Sequence, residues 1–354
     1  MKVAVLVSGG VDSSVALRLL KEQGHTVKAF YLKIWLEDEL SYLGSCPWEE
    51  DLSYVREICE RLDVPLEVVP LQREYFDNVV DYTISEVKAG RTPNPDVMCN
   101  SLIKFDLFFQ KVNIEEFDKV ATGHYARIEE SEGRFYLKTA PDKVKDQTYF
   151  LANLRQFQLE KLIFPIGGYL KSEVRELAEK FDLPNKGRRD SQGICFLGKF
   201  KYSDFIEHYL GKKQGDLIDY DSGEKVGEHD GYWYFTVGQR KGIKLPDGPF
   251  YVVSKDWKTN TVYVSKNYHD ANKLRDTFVV ENLNWFSGDA PRGEGLQVKL
   301  RHGPEVYDCE IRASEESKAE VKLIDARDQG IASGQFAVFY EGDTCLGAGV
   351  IAEG

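Results

Sequence analysis

Five apolar residues, Val3-Ala4-Val5-Leu6-Val7, run straight into Ser8-Gly9-Gly10-Val11-Asp12-Ser13-Ser14. Val15, Ala16, Leu19 and Leu20 then recur at helical spacing, with Gly24 as a stop. A buried strand that turns through two glycines into a helix commits the chain to an α/β architecture. It also makes the turn a candidate phosphate cradle. Two glycines let the backbone approach a phosphate and present its N–H groups, and the helix N-terminus adds partial positive charge. Ser8, Ser13 and Ser14 can donate hydroxyl hydrogen bonds. Asp12 would repel a bare phosphate, so a carboxylate here points to a Mg²⁺ partner. The lysine of G-x-x-x-x-G-K-[ST] is missing, so the loop is not of the Walker type. Ser-Gly-Gly alone is a capped turn; the strand before it and the helix after it carry the nucleotide reading.

The next hundred residues keep alternating. Thr26–Trp35, Leu66–Leu71 and Val120–Thr122 read as strands; Glu49–Leu62 and Tyr75–Lys88 read as helices. That alternation predicts a parallel sheet covered by helices. From about 156 to 210 the pattern is helical, with Ser172 as the expected cap of an amphipathic helix reaching Phe181. After Gly211 short runs rich in Val, Tyr, Phe and Ile, such as Tyr251–Ser254, Thr261–Ser265, Leu296–Leu300 and Ala337–Tyr340, alternate with Gly, Asp and Asn turns. These predict small β barrels or sandwiches. Three domains are expected: 1–204, 205–271 (small, β-rich) and 272–354 (β-barrel). No stretch approaches the roughly 18 apolar residues of a membrane span, so no membrane partner is expected. The opening strand has no cleavable leader pattern. A cytoplasmic location is expected, and an organelle stroma or matrix would fit equally.

The six cysteines are scattered and form no CxxC pair, which disfavours zinc ribbons and thioredoxin-like chemistry. Cys99 follows the proline-rich stretch Gly90-Arg91-Thr92-Pro93-Asn94-Pro95-Asp96-Val97-Met98, and a helix is expected from about Ser101 to Phe109. A thiol at that helix N-terminus would have a lowered pKa, and Asp96 could move a proton for it. Cys195 lies in Arg188-Arg189-Asp190-Ser191-Gln192-Gly193-Ile194-Cys195-Phe196-Leu197-Gly198. Spacing alone does not bring the two thiols together. Cys46, Cys59, Cys309 and Cys345 read as small buried apolar residues. The net charge of −12 excludes nonspecific nucleic-acid binding over the whole surface. RNA recognition would rest on local groups such as Lys143/Lys145, Lys186/Arg188/Arg189, Lys199/Lys201, Lys212/Lys213, Arg240/Lys241 and Lys299/Arg301.

Ser8–Ser14 resembles the PP-loop of the ATP pyrophosphatases (adenine nucleotide alpha hydrolase-like enzymes). Together with Pro93–Asn100, Asp190–Gly198, Ala121-Thr122-Gly123-His124-Tyr125-Ala126-Arg127, Lys145–Phe150, Thr236–Gly242, Gly334–Tyr340 and Cys345–Gly349, it resembles the tRNA 2-thiouridylase family over nearly the whole chain. His302 after Arg301, where the family commonly has Tyr, and Ser333-Gly334-Gln335, where it commonly has Pro-Gly-Gln, depart from the pattern.

The resemblance implies ATP cleaved to AMP and diphosphate with Mg²⁺, adenylation of the C2 oxygen of a tRNA wobble uridine, and sulfur transfer through Cys99 and Cys195. Leu6, Val7, Ser8, Gly9, Gly10, Val11, Asp12, Ser13, Leu32 and Gly123 would line the nucleotide site, with Asp12 toward the metal. Asp96 would be the acid/base. Asn94, Pro95, Asp96, His124, Lys145, Asp146, Gln147, Arg301, His302 and Gln335 would meet tRNA, which in the family means tRNAs for Glu, Gln and Lys. Cys195 would take a persulfide from a sulfur-relay protein or cysteine desulfurase, then pair with Cys99 as a disulfide. Rival readings are another adenylating PP-loop enzyme, a tRNA-binding module without catalysis, and a nucleotide-binding thiol sensor.

Overall fold

The apolar run of the N-terminus forms β1 (Lys2–Leu6), buried from its second residue onward, and the helix after the glycine turn is α1 (Val11–Glu22). In this computed structural model, residues 1–35, 48–190, 201–246, 248–267, 275–291, 295–315, 317–328 and 330–352 are described. β2 (Thr26–Lys33), β3 (Leu66–Pro70), β4 (Lys119–Ala121) and a two-residue strand, Leu162–Ile163, complete an all-parallel sheet. Its order is β3-β2-β1-β4-(162–163). Chain order reverses between β1 and β4, which opens a crevice beyond their C-terminal ends. α1 and α2 (Trp48–Arg61) lie beside this sheet, as do two long helices, α3 (72–88) and α4 (95–111). Both long helices contain π-helical turns, at Phe76–Val80 and Cys99–Leu107.

The predicted amphipathic helix is Lys171–Lys180, and its cap differs from expectation. Ser172 sits in the first turn, and the Glu173 carboxylate takes the Leu170 N–H at 2.6 Å. A carboxylate in the first turn both caps and complements the helix dipole.

The central β-rich unit is a four-stranded sheet: Gly215–Asp219, Lys225–His229, Tyr251–Asp256 and Thr261–Ser265. The C-terminal unit is a closed barrel of six strands, Thr277–Trp285, Leu296–Lys299, Tyr307–Glu315, Lys318–Leu323, Phe336–Glu341 and Thr344–Ile351. Its first and last strands pair, Val280 with Ile351 and Trp285 with Gly347, so the barrel leaves no open edge there. One feature went unpredicted. The hairpin Ala126–Ser131/Arg134–Thr139 leaves the N-terminal sheet and adds to the barrel, Leu137 pairing with Cys345 and Lys138 with Thr344. Catalytic and barrel units thus share one continuous sheet.

Candidate active site

The glycine turn after β1 is held from several sides. Gly9 has φ +76°, and a Cβ there would lie 2.6 Å from the Asp51 carbonyl oxygen. Gly123, just past β4, packs so tightly on α1 that a Cβ would lie 2.6 Å from the Ser13 nitrogen. Both positions need glycine for close backbone approach. Ser13 Oγ accepts from the Ser8 N–H at 3.2 Å and donates to the Gly10 carbonyl at 3.1 Å. Gly10 caps α1 without a side chain of its own, so the helix opens with backbone N–H groups beside the turn. Leu32 is the penultimate residue of β2, half-buried against the core that contains Leu6 and Phe30.

Asp12 projects from the first turn of α1 into a chain of charges. Lys171 Nζ bonds both Asp12 oxygens at 2.7 and 2.9 Å and reaches Asp190 Oδ1 at 2.8 Å. Lys145 Nζ bonds the other Asp190 oxygen at 2.7 Å, and Arg175 also binds Asp190. Burial alone would raise the Asp190 carboxyl, but hydrogen bonds from Lys145 and Lys171 outweigh it and hold it far below the usual range. Tyr125 donates to Asp12 at 2.9 Å; burial and that carboxylate push its phenol far above its ordinary pKa, so it stays a donor. Sequence reading missed Lys171 and Tyr125. Lys171 supplies a cation beside Asp12 that the turn itself lacks, and it arrives from a helix about 160 residues away. No short motif could reveal it.

Asp12 with glycine-lined backbone suits a Mg²⁺–nucleotide. Among the described residues no three His, Cys, Asp or Glu side chains cluster as a metal cage. Mg²⁺ is usually held by one or two carboxylates plus phosphates and water, which a single Asp12 fits.

Cys99 corrects an expectation. Its helix begins at Pro95, not near Ser101: Asn94 Oδ1 caps it by accepting the Val97 N–H at 3.2 Å. Pro95 suits the first helical position because its missing N–H needs no partner there. Cys99 therefore lies one turn in, its N–H bonded within the helix, and is 1% exposed. The helix start points at Asn94, Pro95 and Asp96 instead. Asp96 and Cys99, three apart, share a helix face. Cys195 lies outside the described residues.

The barrel clamps the turn before this helix. Gln335 Nε2 donates to the Thr92 and Pro93 carbonyls, both at 3.1 Å, and the Thr92 N–H donates to the Ser333 carbonyl at 2.8 Å. From the central unit, Tyr232 Oη donates to the Lys88 carbonyl and Trp257 covers Gly90.

Three family models match in series. They are a tRNA methyl transferase HUP domain over 1–199, a tRNA methyl transferase PRC-barrel domain over 203–266 and an aminomethyltransferase beta-barrel domain over 275–351. The tRNA-specific 2-thiouridylase MnmA of Parabacteroides distasonis is 46% identical over 358 residues, covering 99% of each chain. That of Porphyromonas gingivalis is 46% identical over 364 residues, covering 100% of both. The chain belongs to the tRNA-specific 2-thiouridylase family. Among solved structures, the U34-tRNA thiolase NcsA from Methanococcus maripaludis is 19% identical, covers 55% of this chain and 61% of that chain, and has a TM-score of 0.37.

The residues that the thiouridylase resemblance assigns to tRNA fall in different places. Gln335 lies within 3.5 Å of Asn94 Nδ2 and of Tyr149 Oη. His302 stacks on Phe150 with centroids 4.6 Å apart, and its Nε2 lies 3.3 Å from the Asp146 carbonyl oxygen. This group sits between barrel and catalytic unit. The Asp146 carboxylate is buried, taking the Ala140 N–H at 2.9 Å and the Thr148 hydroxyl at 2.7 Å, with Lys299 at 3.7 Å. Gln147 Oε1 takes the Tyr125 N–H at 2.9 Å, and Lys145 holds Asp190. The stretch 145–150 thus joins the nucleotide side to the barrel side. Arg301, next to His302, is paired with Asp328 at 2.6 Å and Glu305 at 2.9 Å. His124 is buried between Phe105 and Phe164, its Nδ1 2.7 Å from Thr122 Oγ1, and burial drives its pKa well below normal.

Several candidate basic groups form ion pairs within the chain, two of them at the surface. Lys186 pairs with Asp182, Lys212 with Glu207 and Arg188 with Asp51. Cys59, Cys309 and Cys345 are buried, with burial raising the first two thiols to about 11 and about 12.

Proposed function

We propose that the crevice between β1 and β4 binds ATP and that the turn Asn94–Asp96, clamped by Gln335, presents the uridine of tRNA beside it. The chain is a tRNA-uridine 2-sulfurtransferase, using ATP to 2-thiolate the wobble uridine. The observation that carries the site assignment is the bridge 145–150, which links the Asp12 network to the barrel clamp. Loop N–H groups, Lys171 and the start of α1 stabilise the phosphates, and Mg²⁺, when bound through Asp12, neutralises charge on the departing diphosphate. The C2 oxygen attacks the α-phosphorus and diphosphate leaves. The terminal sulfur of a Cys195 persulfide then attacks C2, and AMP leaves. Cys99 attacks the Cys195 sulfur; a disulfide forms, the S–S bond to the transferred sulfur breaks, and its electron pair stays on the thiolated base. An external thiol reduces the disulfide for the next cycle.

tRNA is the substrate, and a sulfur-relay protein the partner. The finer reading is that the tRNAs are those for Glu, Gln and Lys, with a cysteine desulfurase at the head of the relay. We place the domain boundaries at 204/205 and 271/272. The wobble base must leave its stack to enter this crevice.

The test is mass analysis of nucleosides after incubation with ATP, Mg²⁺, a sulfur donor and unmodified tRNA. One sulfur gained for one oxygen, lost in Cys99→Ser and Asp12→Ala but kept in Cys309→Ala, is expected. AMP formed with no thiolated nucleoside would move the assignment to another adenylating enzyme. tRNA bound without ATP turnover would leave only a binding module.

A further inference from the structure

Gly9 is the bend of the nucleotide loop, and its carbonyl accepts two hydrogen bonds from one short stretch of chain. Asn185 Nδ2 donates at 2.8 Å and Arg188 NH1 at 2.9 Å. In a trans peptide the C=O and the next N–H point opposite ways. Fastening the Gly9 carbonyl toward Asn185 and Arg188 therefore turns the Gly10 N–H away from them, toward the other side of the turn.

Both side chains are themselves fixed. Asn185 is 1% exposed, and its Nδ2 also donates to Ser14 Oγ at 2.9 Å, which in turn donates to the Gly10 carbonyl at 2.9 Å. The other Arg188 nitrogen donates to Asp51 Oδ1 at 2.6 Å, and its guanidinium lies 4.9 Å from the Tyr54 ring centroid. Asn185 Oδ1 is buried with no hydrogen-bond partner among the described residues. A buried, unpaired acceptor costs stability that an apolar side chain would not. What the position gains from an amide is its two donors, one to the Gly9 carbonyl in the loop and one to Ser14 in the first turn of α1.

We propose that Asn185 and Arg188 are positioning residues for adenylation: they hold the Gly9–Gly10 peptide in the orientation that presents the loop N–H groups to the ATP phosphates. This rests on the reading of Leu6–Ser13 as the nucleotide loop.

The test uses the full chain with Asn185→Leu, Asn185→Asp and Arg188→Gln. The readouts are tRNA-dependent AMP formation over a range of ATP concentrations, tRNA affinity by filter binding, and circular dichroism. Asn185→Leu and Arg188→Gln are each expected to raise the KM for ATP about tenfold, the scale of one lost hydrogen bond to an aligned group. tRNA affinity should stay within about twofold, as neither side chain reaches the barrel clamp. Asn185→Asp, which sets an oxygen against the Gly9 carbonyl, should be worse than Asn185→Leu. If Asn185 variants do not fold, Arg188→Gln, at a partly exposed position, carries the test. Activity that falls only in proportion to the folded fraction, with KM for ATP unchanged, would overturn the proposal. Asp12→Asn and Gly123→Ala run alongside. If these too leave ATP use intact, the nucleotide-loop reading itself fails and the proposal falls with it; if they impair it while Asn185 and Arg188 variants do not, the proposal alone falls.

Discussion

Gly123→Ala tests where the nucleotide sits. The added methyl would lie 2.6 Å from the Ser13 nitrogen and 2.8 Å from the Asp12 carbonyl carbon and Ser13 Cα. All three are backbone atoms, so no side-chain rotation relieves the clash. The end of β4 and the start of α1 must part by about 0.8 Å to reach ordinary contact, an overpacking that costs about 1–3 kcal/mol. A protein of this size tolerates that and stays folded. The displaced groups are those proposed to meet the phosphates, and a misplacement near 1 Å costs on the order of 100-fold in rate. The assay is tRNA-dependent AMP formation at varied ATP, with a thermal melt in parallel. Gly168→Ala is the control: nothing lies within 4 Å of its Cβ, so activity should stay within about twofold. A Gly123→Ala protein that melts earlier than wild type yet keeps kcat/KM for ATP within about twofold would refute the placement of ATP between β1 and β4.

Lys171→Met removes the cation shared by Asp12 and Asp190. Breaking a buried pair costs about 3–5 kcal/mol, and partial exposure here reduces that to about 1–3. AMP formation should fall about 100-fold while tRNA affinity holds, read by the same kinetics and by urea unfolding. His124 gives a pH test. Its folded pKa lies well below 6.5, so below that pH the unfolded chain binds a proton that the folded one refuses. Stability is therefore full above pH 6.5 and declines as pH falls, by up to about 1.4 kcal/mol per unit; urea midpoints at pH 7 and 5.5 should differ less in His124→Gln than in wild type. Gln335→Ala loses both donations to the Thr92 and Pro93 carbonyls, at about 1 kcal/mol each. Thiolation should slow about tenfold with the KM for ATP unchanged, measured by nucleoside mass and AMP release.

Local signals carried much of the architecture. The apolar run of β1, the glycine turn and the spacing of Val15, Ala16, Leu19 and Leu20 dictate a strand–turn–helix unit because each depends on near neighbours in the chain. Strands such as Thr261–Ser265 were legible for the same reason. The helix that carries Cys99 was read to start too late. Two prolines suggested a loop, whereas Asn94 caps the helix and Pro95 occupies its first position, where a proline costs nothing. The hairpin 126–139 was missed because its place, paired to the last strand of the barrel, is a contact between segments two hundred residues apart.

The chemistry divides along the same line. Residue identity alone determined the family and marked the candidate nucleotide turn and cysteines, since these are runs of adjacent residues whose chemistry depends on local spacing. Only the tertiary structure decided that Lys171 faces Asp12, that Asn185 and Arg188 hold Gly9, that Gln335 clamps Thr92 and Pro93, and that His124 is enclosed by Phe105 and Phe164. Each joins groups from different segments, and a one-dimensional pattern does not encode which distant side chains the packed sheet, helix and barrel bring to one point.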